Sequence, residues 1–240
     1  MSRLTTVLNR HGVKIGLVLI LVLLSLGGAL GALSIYRRQT SPRDFVWRNS
    51  SKAESTDVQD QRPLQERARG AGRYQGIERP PDLRSFNNLD DVTGRSAAIV
   101  IATANRNVCS LAPNGKTVTI DYEMRVEHSY KGSLTPGQAI SVSLPGGLAK
   151  FPDGTSAEIK TPWFKKMMNG KTYLLYLNAN ENRPFTITGG PRGLFSIPTD
   201  ATTRLVTSHS MIEGDPMRNY NEMDVIVFLR EVKQAVTRTK

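Results

Sequence analysis

The stretch KTVTIDYEMRVEHSYKG (116–132) decides how this chain is read. Val118, Ile120, Tyr122, Met124 and Val126 alternate with polar partners, and a strict period of two marks a strand buried on one face. Gly132 and Pro136-Gly137 close it. Downstream, QAISVSLPGG (138–147) repeats the alternation through Ile140, Val142 and Leu144. Upstream, SAAIVIATA (96–104) is a short run rich in β-branched residues, followed by a loop with Pro113-Asn114-Gly115. Beyond a loop with Pro152-Asp153-Gly154, Thr172–Leu177 reads as a continuously buried strand. PFTITGGPRGLFSIP (184–198) adds two short strands around a glycine turn. Short strands punctuated by Gly and Pro predict a mainly β domain over 96–207, a small barrel or sandwich.

The end of the chain changes period. In NEMDVIVFLREVKQAVTRTK (221–240), Met223, Ile226, Leu229, Val232 or Lys233, and Val236 fall at helical spacing. Asn221 is the expected cap, with acidic residues near the positive dipole end and basic ones near the other. Residues 208–240 are therefore expected to form a loop and an amphipathic helix packed on the β domain.

The start of the chain is of another kind. Residues 15–36, IGLVLILVLLSLGGALGALSIY, carry no charge. As a helix rising about 1.5 Å per residue, such a run spans the roughly 30 Å hydrocarbon core of a bilayer. Arg3, Arg10 and Lys14 precede it, and Arg37 and Arg38 follow. The expected organisation is a cytoplasmic tail (1–14), a transmembrane anchor (15–36) and the remainder outside the cytoplasm at the cell membrane. The alternative is a cleaved signal peptide and a secreted product. Residues 37–95 are polar, mixed in charge and poor in aliphatics, which predicts a flexible stalk with a helical turn or two around Pro63–Ala68.

Lys plus Arg number 32 against 21 Asp plus Glu, a formal charge of +11. Residues 1–95 hold 15 basic and 9 acidic residues, so the excess on the β domain is modest. It is compatible with an anionic surface, whether nucleic acid or phospholipid headgroups, without the dense basic stripe of a nucleic-acid binder. Cys109 is the single cysteine, which excludes an intramolecular disulfide.

The order of motifs resembles the netrin/TIMP-like variety of the OB-fold barrel found in extracytoplasmic proteins. The residues that carry the resemblance are Ile99–Ala102, YEMRVEHSYKGS (122–133), the strand leading into Gly146-Gly147, FKKMMNGKTYLLYL (164–177) and Gly190-Pro191-Arg192-Gly193-Leu194-Phe195. It covers about residues 97–197 and implies an OB-like β-barrel. The disulfide cysteines of the secreted members are missing, as is the amino-terminal cysteine through which TIMP inhibitors reach a metal. Protease inhibition by that route does not carry over.

Catalytic grammar is thin. ITGGPRGLFSI (187–197) runs into a strand pattern rather than a helix, so its glycines read as a turn and not a phosphate loop. His11, His128 and His209 have no metal-ligand spacing, and a Cys109–His128 or Cys109–His209 dyad is the one enzymatic alternative. Asp121, Glu123 and Glu127 share a strand face, a wet surface or a carboxylate pair. The leading expectation is a non-enzymatic binding or scaffolding module, without cofactor or metal, that meets an envelope protein partner. Its candidate contacts are Phe151, Trp163, Lys165, Lys166, Met168 and Arg192, drawn mainly from a cluster of aromatics, lysines and methionines suited to interfaces. The other reading of Trp163, Phe164 and Met167 is that they plug one end of the barrel. An OB-type nucleic-acid binder, stacking bases on Tyr122, Tyr130, Tyr173 or Tyr176, is the weaker alternative.

Overall fold

A computed structural model describes residues 62–78, 85–179, 184–199 and 204–239. The expected tail (1–14), anchor (15–36) and first part of the stalk lie outside the described residues. Among the described residues no helix is long and apolar enough to cross a membrane. The elements are α1 (Leu64–Arg69), β1 (Arg73–Ile77), α2 (Leu89–Arg95), β2 (Ala98–Leu111), β3 (Val118–Lys131), β4 (Ala139–Pro145), β5 (Gly147–Lys150), β6 (Ser156–Lys160), β7 (Thr172–Asn178), β8 (Phe185–Ile187), β9 (Leu194–Ile197), β10 (Thr207–Ser208) and α3 (Val225–Arg238). Two 3-10 turns, Gly190–Gly193 and Pro216–Tyr220, complete them.

The fold is mainly β with a C-terminal helix. One sheet has the order β10-β9-β7-β2-β3-β4-β8 and a second the order β1-β6-β5. The alternation read in β3 is the alternation of its burial: Val118, Ile120, Tyr122, Met124 and Val126 are all at most 4% exposed. β7 needs no alternation because it is covered on both faces. Tyr173, Leu175 and Leu177 join the core enclosed by β2, β3 and β4. Leu174 and Tyr176 join a second core with Phe195 and the two helices.

The expected barrel is realised in part. β8 bonds β4 in parallel and β7 in antiparallel, through two residue pairs on each side. With three residues it bridges the ends of the sheet but is too short to close a continuous barrel.

Two other expectations are corrected. The folded part begins well before Ser96: Leu64 and Ala68 of α1 are fully buried, and β1 pairs with β6 from Arg73↔Ser156 to Ile77↔Lys160. A segment with so few aliphatics orders because its partners, β6 and the β2–β3 hairpin, come from far along the chain. The third core joins Leu64 to Val118, Ala149, Ala157 and Ile159. The terminal helix is capped by Asp224, whose carboxylate accepts from the Ile226 and Val227 amides, rather than by Asn221. Its buried stripe is Phe228, Val232, Ala235 and Val236, leaving Ile226 61% exposed.

Candidate functional site

The sequence-predicted contact cluster divides between a buried plug and an exposed outer side. Trp163, Phe164 and Met167 are 7%, 5% and 3% exposed and belong to the core between the strands. Trp163 donates its indole N–H to the Glu78 carbonyl at 3.0 Å. The Tyr122 hydroxyl donates to the Met167 carbonyl at 3.1 Å, and the Tyr173 hydroxyl accepts from the Met168 amide at 2.7 Å. Burial pushes the Tyr122 phenol up to about 12, so it stays a donor throughout the physiological range. These bonds fix segment 162–168 as the floor of the core. Lys165, Lys166 and Met168 remain exposed on its outer side. Phe151 is half-buried against the third core.

Arg192 is also removed from the surface set. Gly189 and Gly190 adopt φ of +67° and +61°, the left-handed conformation that favours glycine, and the following 3-10 turn buries Arg192. A Cβ on Gly189 would run into the Phe86 ring. Arg192 lies 3.5 Å from the carboxylate of Asp215, also buried, which caps the Pro216–Tyr220 turn by accepting from the Met217 amide. The glycine turn is thus pinned to the 211–224 loop and leads directly into β9.

A shallow groove lies on the outer face of β2, β3 and β4. Arg106, Val108, Asp121, Glu123, Ala139, Ile140 and Ser141 line it. The registers Arg106↔Glu123 and Val108↔Asp121, with Asp121↔Ser143 and Glu123↔Ser141, set Arg106, Val108, Asp121, Glu123 and Ser141 opposite the side chains that enter the core, whereas Ile140, 6% exposed, belongs to that core. Val108 is 58% exposed at the centre. The carboxylates suspected of acid–base work are each engaged: Glu123 with Arg106 at 2.6 Å, Asp121 with the Ser110 hydroxyl at 3.2 Å, Glu127 with Arg125 at 3.0 Å. No two of them face each other as a proton-sharing pair.

The sequence reading missed one polar arrangement. His209, 4% exposed, has its Nδ1 at 2.6 Å from the Lys165 carbonyl and its Nε2 at 2.7 Å from the Ser196 hydroxyl. A carbonyl only accepts, so Nδ1 carries the proton and Nε2 accepts from Ser196. Burial lowers the His209 pKa from the ordinary 6.5, outweighing the hydrogen bond to Lys165 that favours the charged form. A serine facing an oriented imidazole is the start of a nucleophile–base pair. Here Ser196 sits mid-strand between Tyr173 of β7 and Thr207 of β10, and the pair staples β9 and β10 to the plug. No sequence spacing announces it, because the contact depends on the β9–β10 register. His209 spends both ring nitrogens on Ser196 and Lys165, while His128 stacks edge-on against Tyr130 at 4.5 Å. Cys109 packs near Ile120 and Gly147, apart from the ring partners of either histidine, so the dyad raised as an alternative is not assembled here. Among the described residues no three His, Cys, Asp or Glu side chains gather as a metal site.

No family model matches the chain, and no curated protein is significantly similar to it. The groove and the buried staple therefore stand on their own geometry.

Proposed function

We propose that this chain is a membrane-anchored, extracytoplasmic binding module built on an OB-like barrel. The observation that carries the reading is the order of pairings. β2 lies between β7 and β3, β3 pairs with β4, and β8 joins β4 in parallel to β7 in antiparallel. That is the circuit of a five-stranded, partly open OB barrel, in which β3 and β4 take the places of the second and third strands. Those strands are where OB barrels take extended ligands, and here they carry the groove around Val108. The netrin/TIMP-like resemblance of residues 97–197 supports the same reading.

The lining suits an extended protein segment better than a polyanion. Val108 offers apolar contact, Ser141 hydrogen bonding, and Asp121 and Glu123 repel phosphates. Tyr122, Tyr173 and Tyr176 are at most 2% exposed and offer no face to bases, while Tyr130, partly buried against the second core, is met edge-on by His128, which counts against nucleic acid. The function follows as display: the 15–36 segment holds the chain, and the β domain presents its groove to an envelope protein.

Protease treatment of intact and permeabilised cells, with the N-terminus of the product mapped by mass, tests the topology. Digestion of the β domain from outside with residues 15–36 retained is the expected result. Protection until permeabilisation would overturn it.

A further inference from the structure

The small sheet has one face in the third core and one face that, among the described residues, points to solvent. Tyr74, Gly76, Ala149, Ala157 and Ile159 point inward. The registers Arg73↔Ser156, Gln75↔Glu158, Ile77↔Lys160, Leu148↔Glu158 and Lys150↔Ser156 then place the alternate residues together on the outer face. Its only carboxylate, Glu158, is already bound by Arg73 at 2.7 Å and by the Gln75 amide at 3.1 Å. Lys150 and Lys160 form no ion pair among the described residues. Lys166 joins them from the plug, near enough to help hold the Glu158 carboxyl below its ordinary pKa. Two aliphatic side chains project among these cations, Ile77 at 60% and Leu148 at 39% exposure.

We propose that this outer face, Arg73, Ile77, Leu148, Lys150, Lys160 and Lys166, docks the domain onto an anionic phospholipid surface. The inference rests on the anchored reading given above. Each Lys or Arg near an anionic leaflet strengthens attachment about fivefold, and aliphatic side chains among the cations enter the headgroup layer. β1 is also the first described strand after the uncharged 15–36 segment. Residues 37–61 between that segment and the described chain reach at most about 90 Å even if fully extended. A tether of that order keeps the face at an effective concentration near the millimolar range, so weak contacts suffice. Docked this way, the small sheet meets the lipid while the β2–β3–β4 groove, on a different sheet, stays open to a partner.

Lysine footprinting of the full chain in lipid nanodiscs tests the idea. Brief acetylation is followed by mass spectrometry in discs of phosphatidylcholine alone and in discs with one-third phosphatidylglycerol. Lys150, Lys160 and Lys166 should react several-fold more slowly in the anionic discs. Lys116, Lys171 and Lys233 should react alike in both, and molar salt should abolish the difference, since it shortens the screening length to about 3 Å. Ile77→Glu with Leu148→Glu, both at exposed positions, should restore fast labelling of the three lysines. Equal rates for those lysines in both disc types would overturn the proposal. A chain that does not stay in the discs would refute the anchored reading alone. The same lysine rates with and without added phosphatidylglycerol vesicles would then decide the face.

Discussion

Trp163 separates the two readings of segment 162–168, because its replacement by alanine lowers thermal stability strongly in a plug and hardly at all in a surface contact. The side chain is 93% removed from solvent among Phe164, Met167 and the inner faces of the strands, and its indole N–H holds the Glu78 carbonyl. Truncating a buried Trp to Ala costs about 3–5 kcal/mol through lost transfer energy and the cavity left behind. The lost hydrogen bond adds about 1 kcal/mol. For a domain of this size each kcal/mol shifts the melting temperature by about 2–4 °C, so Trp163→Ala should lower it by roughly 8–24 °C. Trp163→Phe keeps most of the ring and loses the donor, and should fall by only a few degrees. Calorimetry of the full chain reads both. A Trp163→Ala variant melting within about 2 °C of the parent would behave as a surface substitution and refute the plug.

Three further outcomes are expected. The His209 pKa is lowered on folding, so the unfolded chain takes up the proton first. Stability should be full above about pH 6.5 and decline below it until the folded pKa is passed, with a slope of at most about 1.4 kcal/mol per pH unit. His209→Asn should flatten urea midpoints between pH 7 and 5.5, and an unchanged slope would assign the dependence elsewhere. Gly189→Ala places a side chain at φ +67° against Phe86, and should cost about 1–3 kcal/mol or more in denaturant titrations. Asp224→Ala removes the α3 cap and should cost about 1 kcal/mol, visible as faster amide exchange at Ile226 and Val227.

What the sequence disclosed was what local patterning controls. β3 was legible because its inward residues alternate without a break. β7 was legible because burial on both faces makes an apolar run, and Gly189-Gly190 because only a turn uses those residues so closely. The start of the fold was legible only as a helical turn around Pro63–Ala68, where α1 lies, and not as part of a packed core. α1 and β1 bury few residues each, and only partners from β6 and the β2–β3 hairpin make them worth ordering. Composition alone therefore assigned them to the stalk. The terminal helix was found but rotated: apolar residues occur all round Val225–Val236, so spacing alone did not say which stripe faces Leu174 and Phe195. In the candidate site, Trp163 and Arg192 look like contact residues by type, and only tertiary packing buries them. The Ser196–His209 staple depends on strand register, which side-chain spacing does not encode.

The pairing of β1 with β6 carries a consequence for biogenesis. Gln75 and Glu158, neighbours across that ladder, are 83 positions apart. At a synthesis rate of about 5–20 residues per second, β1 is made roughly 4–17 s before its partner strand. Throughout that interval Leu64 lacks Ala157 and Ile159 of its core, and the backbone of Arg73–Ile77 has no ladder. The amino-terminal elements of the described fold are thus made before their partners and are among the last to be secured. A ribosome stalled before Ser156 would expose a nascent chain whose amino-terminal part is open to chaperones and proteases.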